Sequence, residues 1–267
     1  MRSFLSSVRV VAAKEFRDCW RNLWLIVGSA LFACLSLAVV FGTIGGDFSF
    51  RPLEAVMTSV VTLGVFLIPL IAVLISYDAF VGEQEHGTLI LLLTYPLSRT
   101  ALLTGKLLGQ SAALGVCLLL GFSVLPLLTV LNVLPYDLTR LSLLTAVLIF
   151  SGCLLGLVFI LISLTISLLA KNKARALGVL LSIWLLSVLF YDLGLLIITI
   201  AFEHQIRNEF LNICLAANPA SAFRLFNQQL LENSTIPLQT AWLGVYLCLW
   251  SAVLFVLDRF ILNKRTF

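Results

Sequence analysis

The sequence predicts an all-α membrane protein with six transmembrane helices, preceded by an amphipathic helix at the membrane surface. Of its 267 residues, 61% are hydrophobic and 11% are charged, whereas a soluble domain is about half apolar and about a quarter charged. The apolar residues form six long runs with few charges, and a helix needs about 20 such residues to cross a bilayer. Lysine and arginine concentrate in the connections on one side of these runs, which predicts an orientation.

The six runs define the predicted spans of one transmembrane domain, residues 23–267. They cover residues 23–41, 56–77, 107–134, 141–170, 176–202 and 241–262. Two connections are long. Residues 82–106 are predicted to form a cytoplasmic hairpin, and residues 203–239 form a loop on the far side of the membrane.

Residues 1–22 are predicted to form an elbow helix that contacts membrane lipid. Their apolar residues recur at helical spacing and their basic residues lie off that stripe, as in helices that lie in the membrane interface. The stripe is Leu5, Val8, Ala12, Phe16, Cys19, Trp20 and Leu23, and the basic residues are Arg9, Lys14, Arg17 and Arg21. The alternative is a basic flank that only sets the topology.

The basic residues predict that both termini are cytoplasmic. Thirteen of the 17 lysines and arginines fall on the side of the termini, and basic connections are retained in the cytoplasm. The four on the other side are Arg51, Arg140, Arg207 and Arg224.

No motif for nucleotide binding or catalysis is present, so we expect a non-catalytic subunit. A P-loop requires GxxxxGK[ST], whose backbone amides hold phosphates. The only Gly-Lys pair, Gly105-Lys106, lacks the first glycine and is followed by leucine. ATP and Mg²⁺ would therefore be bound by a partner, and no nucleic acid is expected to bind.

A metal site is not expected either. The six cysteines include no CxxC pair, and a buried cysteine usually behaves as a small hydrophobic residue. The two histidines, His86 and His204, fall on opposite sides of the membrane in the predicted topology.

Scarce charges concentrate in one stretch, GEQEHGTLILLLTYPLSR, which follows the second span. Burying Glu83, Glu85 and Arg99 in lipid would cost roughly 8–10 kcal/mol on insertion scales. The stretch is therefore predicted to be an amphipathic cytoplasmic hairpin. Its acids suit a helix start, and Pro96 ends the helix.

This stretch, with Lys106 after it, resembles the signature of ABC-2 type transporter permeases. The resemblance implies an ABC-2, type V exporter-like half-transporter that pairs with a second copy of itself and with two cytoplasmic ABC ATPase subunits. It also implies that the hairpin touches the ATPase. The residues expected to couple to the ATPase are Glu83, Glu85, His86, Gly87, Thr88, Leu89, Leu92, Leu93, Pro96, Arg99, Lys106, Lys171, Lys173 and Arg175.

The longer segment SYDAFVGEQEHGTLILLLTYPLSR and the outer segment NPASAFRL are similar to the branch of that family that serves nitrous oxide reductase maturation in denitrifying bacteria. This similarity implies an inner-membrane location, a periplasmic β-helical accessory protein and a role in copper–sulfur centre assembly. The cargo, copper or a sulfur species, is left open, although few methionines and scattered cysteines disfavour a copper path here. The residues expected to contact the periplasmic partner are Glu203, Arg207, Asn218, Pro219 and Arg224.

A translocation path is predicted around Asp192, with Ser163 and Ser167 on one face of another span. Acids inside spans are often functional. The alternative is that the helix breaks near Asp192 and Gly194, which would leave the acid at the membrane interface.

Three other functions are alternatives to a role in nitrous oxide reductase maturation. One is a generic ABC-2 exporter of drug, lipid or polysaccharide, which shares the spans and the signature. Another is a mechanical transmitter that moves no cargo. An intramembrane protease is disfavoured because Glu83, Glu85 and His86 lie in a predicted loop without a second histidine on that side.

The topology can be tested by cysteine labelling. A cysteine in place of Asn227 should react with an impermeant thiol reagent added outside, and a cysteine in place of Thr94 should not, because the two positions are predicted on opposite faces. Labelling in the reverse pattern would mean that the predicted orientation is inverted.

Overall fold

The computed structural model describes residues 2–21, 23–42, 50–88, 98–201, 214–215, 217–232 and 238–264. Within these ranges every regular element is a helix. The helices are α1 (Arg2–Arg21), α2 (Trp24–Gly42), α3 (Leu53–Ser76), α4 (Val81–Glu85), α5 (Arg99–Phe122), α6 (Val124–Val130), α7 (Leu138–Leu169), α8 (Lys173–Leu185), α9 (Tyr191–Ala201), α10 (Pro219–Glu232) and α11 (Leu238–Lys264), and a π-helical turn, Leu186–Phe190, joins α8 to α9.

Six stretches in the described part of the chain are long and apolar enough to cross a membrane, which confirms the predicted fold class. They are Trp24–Gly42, Leu53–Glu85, Arg99–Val130, Leu138–Leu169, Lys173–Ala201 and Trp242–Lys264. The start of α5, the start of α8 and the end of α11 meet beside α1 and α4. We call this the α1 end of the bundle.

Helix α5 begins at Arg99, whereas the third span was predicted to begin at residue 107. The Ser98 hydroxyl accepts a hydrogen bond from the backbone N–H of Ala101 at 3.1 Å, and such a cap stabilises a helix start. The next turn is buried, since Leu103 is fully enclosed. Residues 99–106, which the sequence assigned to the hairpin, therefore form the first two turns of α5.

Two glycines on α5 form the surface on which α1 lies. A Cβ atom on Gly105 would come within 2.6 Å of the Val11 Cβ, and one on Gly109 within 2.5 Å of the Ala12 carbonyl oxygen. Small residues at this spacing let helix backbones approach closely in membranes. The GxxxG pair therefore seats the elbow helix.

A second glycine pair holds the centre of the bundle together. A Cβ atom on Gly156 of α7 would lie 2.0 Å from Leu114 of α5, and one on Gly152 would lie 3.0 Å from Ile68 of α3. Both glycines are buried. The core is thus formed by α3, α5 and α7, with the two glycines as close contact points.

Part of the predicted outer loop, residues 203–239, is a helix that enters the bundle. Helix α10 packs against α3, α7 and α11, and Phe223 on it is fully buried. The Asn227 amide donates to the Ser151 hydroxyl at 3.0 Å. Because Ser151 lies almost half-way along α7, α10 reaches well into the bundle.

This burial changes the best positions for topology labelling. Asn227 is only 5% exposed, so a reagent would not reach a cysteine there, and Thr94 lies outside the described residues. Thr139, in the first turn of α7, and Gln84 on α4 are exposed at opposite ends of the bundle. They replace the two original positions.

The seat of α1 can be tested with Gly109→Leu. The added side chain would collide with the α1 backbone, and overpacking of this kind costs about 1–3 kcal/mol. We expect the purified chain in detergent to unfold several degrees below the wild type, because ~1 kcal/mol shifts Tm by about 2–4 °C at this size.

Gly178→Leu is the matched control, because no atom lies within 4 Å of a Cβ added there. It should leave Tm at or above the wild-type value. Equal Tm values for the two variants would mean that α1 does not depend on the glycine surface.

Candidate functional site

A buried lysine joins three parts of the chain at the α1 end. Lys106 on α5 is only 1% exposed. Its ammonium donates to the Glu15 carboxylate on α1 at 2.9 Å, to the Glu83 carboxylate on α4 at 2.8 Å and to the Ala79 carbonyl at 2.8 Å. All three ammonium protons therefore have acceptors, as a buried lysine requires.

Two further residues complete this cluster. The Lys14 ammonium lies 2.9 Å from Glu15 and 3.0 Å from Glu83, and the Gln110 amide donates to the second Glu15 oxygen at 3.3 Å. We call Lys14, Glu15, Glu83, Lys106 and Gln110 the lysine junction. Within the junction two cations face two anions, and Lys14 also forms an ion pair with the partly exposed Asp18 at 3.3 Å.

The charges of the junction sustain one another. Burial alone would raise the pKa of Glu15, but the Lys106 and Lys14 ammonium groups outweigh burial and lower it. Burial would likewise lower the pKa of Lys14, and the Glu15 and Glu83 carboxylates instead raise it. The stability that Glu15 contributes is therefore complete at neutral pH and is lost only as the pH falls below its usual pKa of 4.5 toward the lowered value.

The corner between α3 and α4 fixes the position of Glu83. The Ser167 hydroxyl at the end of α7 accepts hydrogen bonds from the backbone N–H groups of Phe80 and Val81, both at 3.0 Å. The Lys106 ammonium also lies 5.2 Å from the centre of the Phe80 ring. The corner is thus held by α5 on one side and α7 on the other.

Helix α4 is also tied to the start of α8. The Glu85 carboxylate accepts from the backbone N–H of Lys173 at 2.8 Å, where a helix start favours an anion. The Lys173 ammonium lies 3.8 Å from Asp78. A Cβ atom on Gly82 would lie 3.0 Å from the Lys173 side chain, which leaves little room between the two helices.

Beyond these contacts, the predicted coupling residues form an exposed surface. Glu85, His86, Gly87 and Thr88 are exposed, and Gly87 has φ +69°, a conformation that favours glycine. Lys171 and Arg175 are exposed beside them. The predicted residues Leu89, Leu92, Leu93 and Pro96 lie outside the described residues.

Arg99 caps the last helix. Its guanidinium donates to the backbone carbonyls of Leu262 at 2.6 Å and Asn263 at 3.1 Å, where a helix end favours a cation. Since Arg99 also starts α5, this contact links α5 to α11. The sequence assigned Arg99 to coupling, and the structure adds this structural contact.

A second polar cluster surrounds Asp192 at the start of α9. The Asp192 carboxylate lies 2.7 Å from the Arg224 guanidinium and accepts from the Ser221 hydroxyl at 2.8 Å. Nearby, the Asn218 amide donates to the Ser187 carbonyl in the π-helical turn. Asp192 is thus a paired acid, and α10 supplies its partners.

The structure brings together residues that the sequence assigned to two different sites. Asp192 was predicted in a path and Arg224 at a partner contact, yet they form one ion pair. Ser163 and Ser167 are fully buried, and Ser167 belongs to the α3–α4 corner. Pro219 starts α10. The predicted residues Glu203 and Arg207 lie outside the described residues.

The sequence analysis missed the α1 half of the lysine junction. Val8, Val11, Glu15 and Cys19 are all buried on one face of α1. An acid at helical spacing between apolar residues was the signal, because such an acid requires a buried partner. Among the described residues, no group of three or more His, Cys, Asp or Glu side chains could hold a metal ion.

Comparison with known families identifies this architecture. Residues 9–266 match the family model described as "ABC-2 family transporter protein". The chain therefore belongs to the ABC-2 family, as a multi-pass permease subunit of an ABC transporter.

Its relatives include two proteins named NosY. The chain is 37% identical over 274 residues to the "Probable ABC transporter permease protein NosY" of Stutzerimonas stutzeri, with 98% of this chain and 99% of that protein covered. It is 36% identical over 270 residues to the protein of the same name from Pseudomonas aeruginosa, with 97% and 98% covered. The similarity therefore extends over nearly the whole length of each protein.

The lysine junction can be tested with Lys106→Met. The variant leaves the buried Glu15 and the mostly enclosed Glu83 with only the half-exposed Lys14 between them. Removing one partner of a buried ion pair costs about 3–5 kcal/mol, and we expect a loss of that size in the free energy of unfolding. Combining Lys106→Met with Glu15→Gln should recover part of it, because one buried charge is then removed.

Lys171→Met, at an exposed lysine, controls for the loss of one positive charge and should leave stability within about 0.5 kcal/mol of the wild type. If Lys106→Met is as mild as this control, the junction does not hold α1, α4 and α5 together.

Proposed function

We propose that the chain couples ATP hydrolysis by partner ATPase subunits to work in the bacterial inner membrane, and that α4 with residues 86–88 forms the docking surface. The observation that carries this proposal is the exposed surface that follows Glu83, itself anchored on the buried Lys106. A permease lacking a phosphate-binding loop needs such a contact to receive energy from its ATPase.

The anchoring of α4 supports a role as a lever. This five-residue helix and the corner before it are bonded to α5 through Glu83, to α7 through Ser167 and to α8 through Glu85. A short helix tied to three long ones moves with them, so a push on α4 is passed to the bundle. The Arg99 contact with the end of α11 extends that connection to the last span.

The orientation and assembly follow from the same reasoning. We place the α1 end, both termini, the elbow helix and the hairpin in the cytoplasm, because most lysines and arginines lie there. Two copies of the chain and two ATPase subunits, which bind ATP and Mg²⁺, form a two-fold symmetric transporter. The exposed apolar side chains of α8 and α9 suit lipid or a second copy.

For the biological role, we propose maturation of the copper–sulfur centre of nitrous oxide reductase. The relatives named NosY and the likeness of the hairpin and NPASAFRL segments to that branch support this role. A periplasmic β-helical partner would contact residues around α10. A generic ABC-2 exporter of drug, lipid or polysaccharide is the alternative, and identifying proteins that co-purify with the chain would separate the two.

A mechanical transmitter is favoured by one observation as a second candidate. Asn218 and Arg224 tie α10 to the π-helical turn and to α9, so motion in the bundle would reach the outer loop without a cargo path. In the path model, Asp192 with Arg224 would line the outer part of the route, with Ser163 and Ser167 deeper in the bundle.

His86→Trp tests the docking surface. The His86 side chain is exposed, so the larger residue should leave the fold and membrane insertion intact. We expect it to obstruct the ATPase and to weaken the complex about tenfold or more, equivalent to ~1.4 kcal/mol. The measurement is the amount of ATPase that co-purifies with the tagged permease at a fixed membrane expression level.

Thr139→Trp places the same bulk on an exposed position at the opposite end, and it should leave ATPase recovery unchanged. Normal recovery and normal transporter activity in His86→Trp would show that the ATPase docks elsewhere. Loss of recovery in both variants would point to a general defect instead.

A further inference from the structure

Asp258 is a fully buried acid in the last span. It lies six residues before the end of α11, about 9 Å along the helix axis, and its exposure is 0%. Its neighbours along the helix include the apolar residues Leu254, Phe255, Ile261 and Leu262. An ionised carboxylate at such a position is costly unless a cation or several donors compensate it.

The hydroxyl that contacts Asp258 has a second acceptor, so the contact with Asp258 can be completed by a proton on the carboxyl group. One carboxyl oxygen, Oδ1, contacts the Thr165 hydroxyl of α7. That hydroxyl also lies 3.0 Å from the Leu161 carbonyl in its own helix. A hydroxyl has one proton to donate, and the Leu161 carbonyl can only accept. If the hydroxyl proton goes to Leu161, the short contact requires a proton on Asp258.

The surrounding charges do not supply a counter-ion. Within the described residues, no cation forms an ion pair with Asp258, and its second oxygen, Oδ2, is buried without a hydrogen-bond partner. On α11 itself, Arg259 and Lys264 are exposed. The cations of the helices packed against α11, which are α5, α7 and α10, are all bonded elsewhere: Arg99 to Leu262, Lys106 to Glu15 and Glu83, Arg140 to Glu54, and Arg224 to Asp192.

We propose that Asp258 is a proton-binding site in the last span, which holds its proton at neutral pH and donates it to the Thr165 hydroxyl, and so fastens α11 to α7. The ligand is a single proton exchanged with water. Asp258 differs in this from Asp192, whose carboxylate is paired with a cation.

The site gives the α7–α11 contact a dependence on protonation. Loss of the proton to water would leave a buried carboxylate without a counter-ion between the two helices, and the Thr165 hydroxyl would have to give up its bond to the Leu161 carbonyl in order to donate to it. Any movement that admits water to Asp258 therefore favours release of the proton, and closure of the two helices favours its uptake. The site is independent of the docking surface on α4.

Infrared spectroscopy of the purified full-length chain in lipid nanodiscs tests the protonation directly. A protonated carboxylic acid has a C=O stretch separate from carboxylate bands, and it shifts in D2O. We expect this band at neutral pH in the wild type and its loss in Asp258→Asn. Asp192→Asn, which removes a paired carboxylate, should leave the band in place. Identical bands in the wild type and Asp258→Asn would overturn the proposal.

Thermal unfolding provides the second measurement. The amide in Asp258→Asn can still donate to Thr165, so Tm at neutral pH should stay within about 2 °C of the wild type. At alkaline pH the Tm of the wild type should be lower than that of this variant. The folded wild type must then either keep a proton that the solvent favours removing or carry a buried carboxylate, whereas the asparagine does not titrate. Thr165→Val should lower Tm at neutral pH, whereas Thr165→Ser should not. A Tm of Asp258→Asn well below the wild type at both neutral and alkaline pH would mean that Asp258 is an ionised partner, and the proposal would fail.

Discussion

The enclosed ammonium group of Lys106 is the constraint on which the α1 end depends. It requires acceptors on every side, and it finds them on α1, on α4 and in the corner that precedes α4. A lysine in that position compels three segments that are distant in sequence to keep one arrangement. The close seat of α1 on Gly105 and Gly109 lies beside it. Any slide of these segments would strand a buried charge at the junction.

Composition and periodicity were sufficient to predict the fold class, since six apolar runs have few alternatives in a bilayer. They were not sufficient to place α10. Arg224 on it and Asn218 just before it suit an external loop when read alone, and only their partners Asp192 and Ser187 show why they enter the bundle. The start of α5 differs from the predicted start of the third span for a related reason. The sequence placed Lys106 at the end of the predicted hairpin, whereas Glu15, 91 residues earlier, makes its burial possible.

Part of the candidate site could likewise be predicted from the sequence, and part could not. The exposed surface on α4 was predicted, because its charges stand out in an apolar chain. The residues that support it were not predicted, because residues that pair over a long sequence separation give only a weak signal in a single sequence. Glu15 on the buried face of α1 was such a signal. Asp258 was a second such signal, because it is an acid in an apolar run. That it is buried and that its Oδ2 atom has no hydrogen-bond partner among the described residues becomes evident only when the helices around it are known. Glu15, Asp192 and Asp258 illustrate three ways of keeping a carboxyl group inside a membrane protein. Glu15 shares a lysine, Asp192 is paired with an arginine, and Asp258 retains its proton.

The π-helical turn at Leu186–Phe190 sets the rotation, about the helix axis, of the residues that follow it in the span. A π turn amounts to one additional residue in an α-helix, and one residue corresponds to a rotation of about 100°. Without that additional residue, the face that carries Asp192 would point away from Arg224, and the Ser187 carbonyl would be engaged within its own helix instead of receiving Asn218. A change in length by a single residue, with no change in chemistry, thus decides whether Asp192 on α9 faces Arg224 on α10. Gain or loss of such a residue would let related chains rotate the surface at the end of the bundle opposite α1 while the α1 end stays the same.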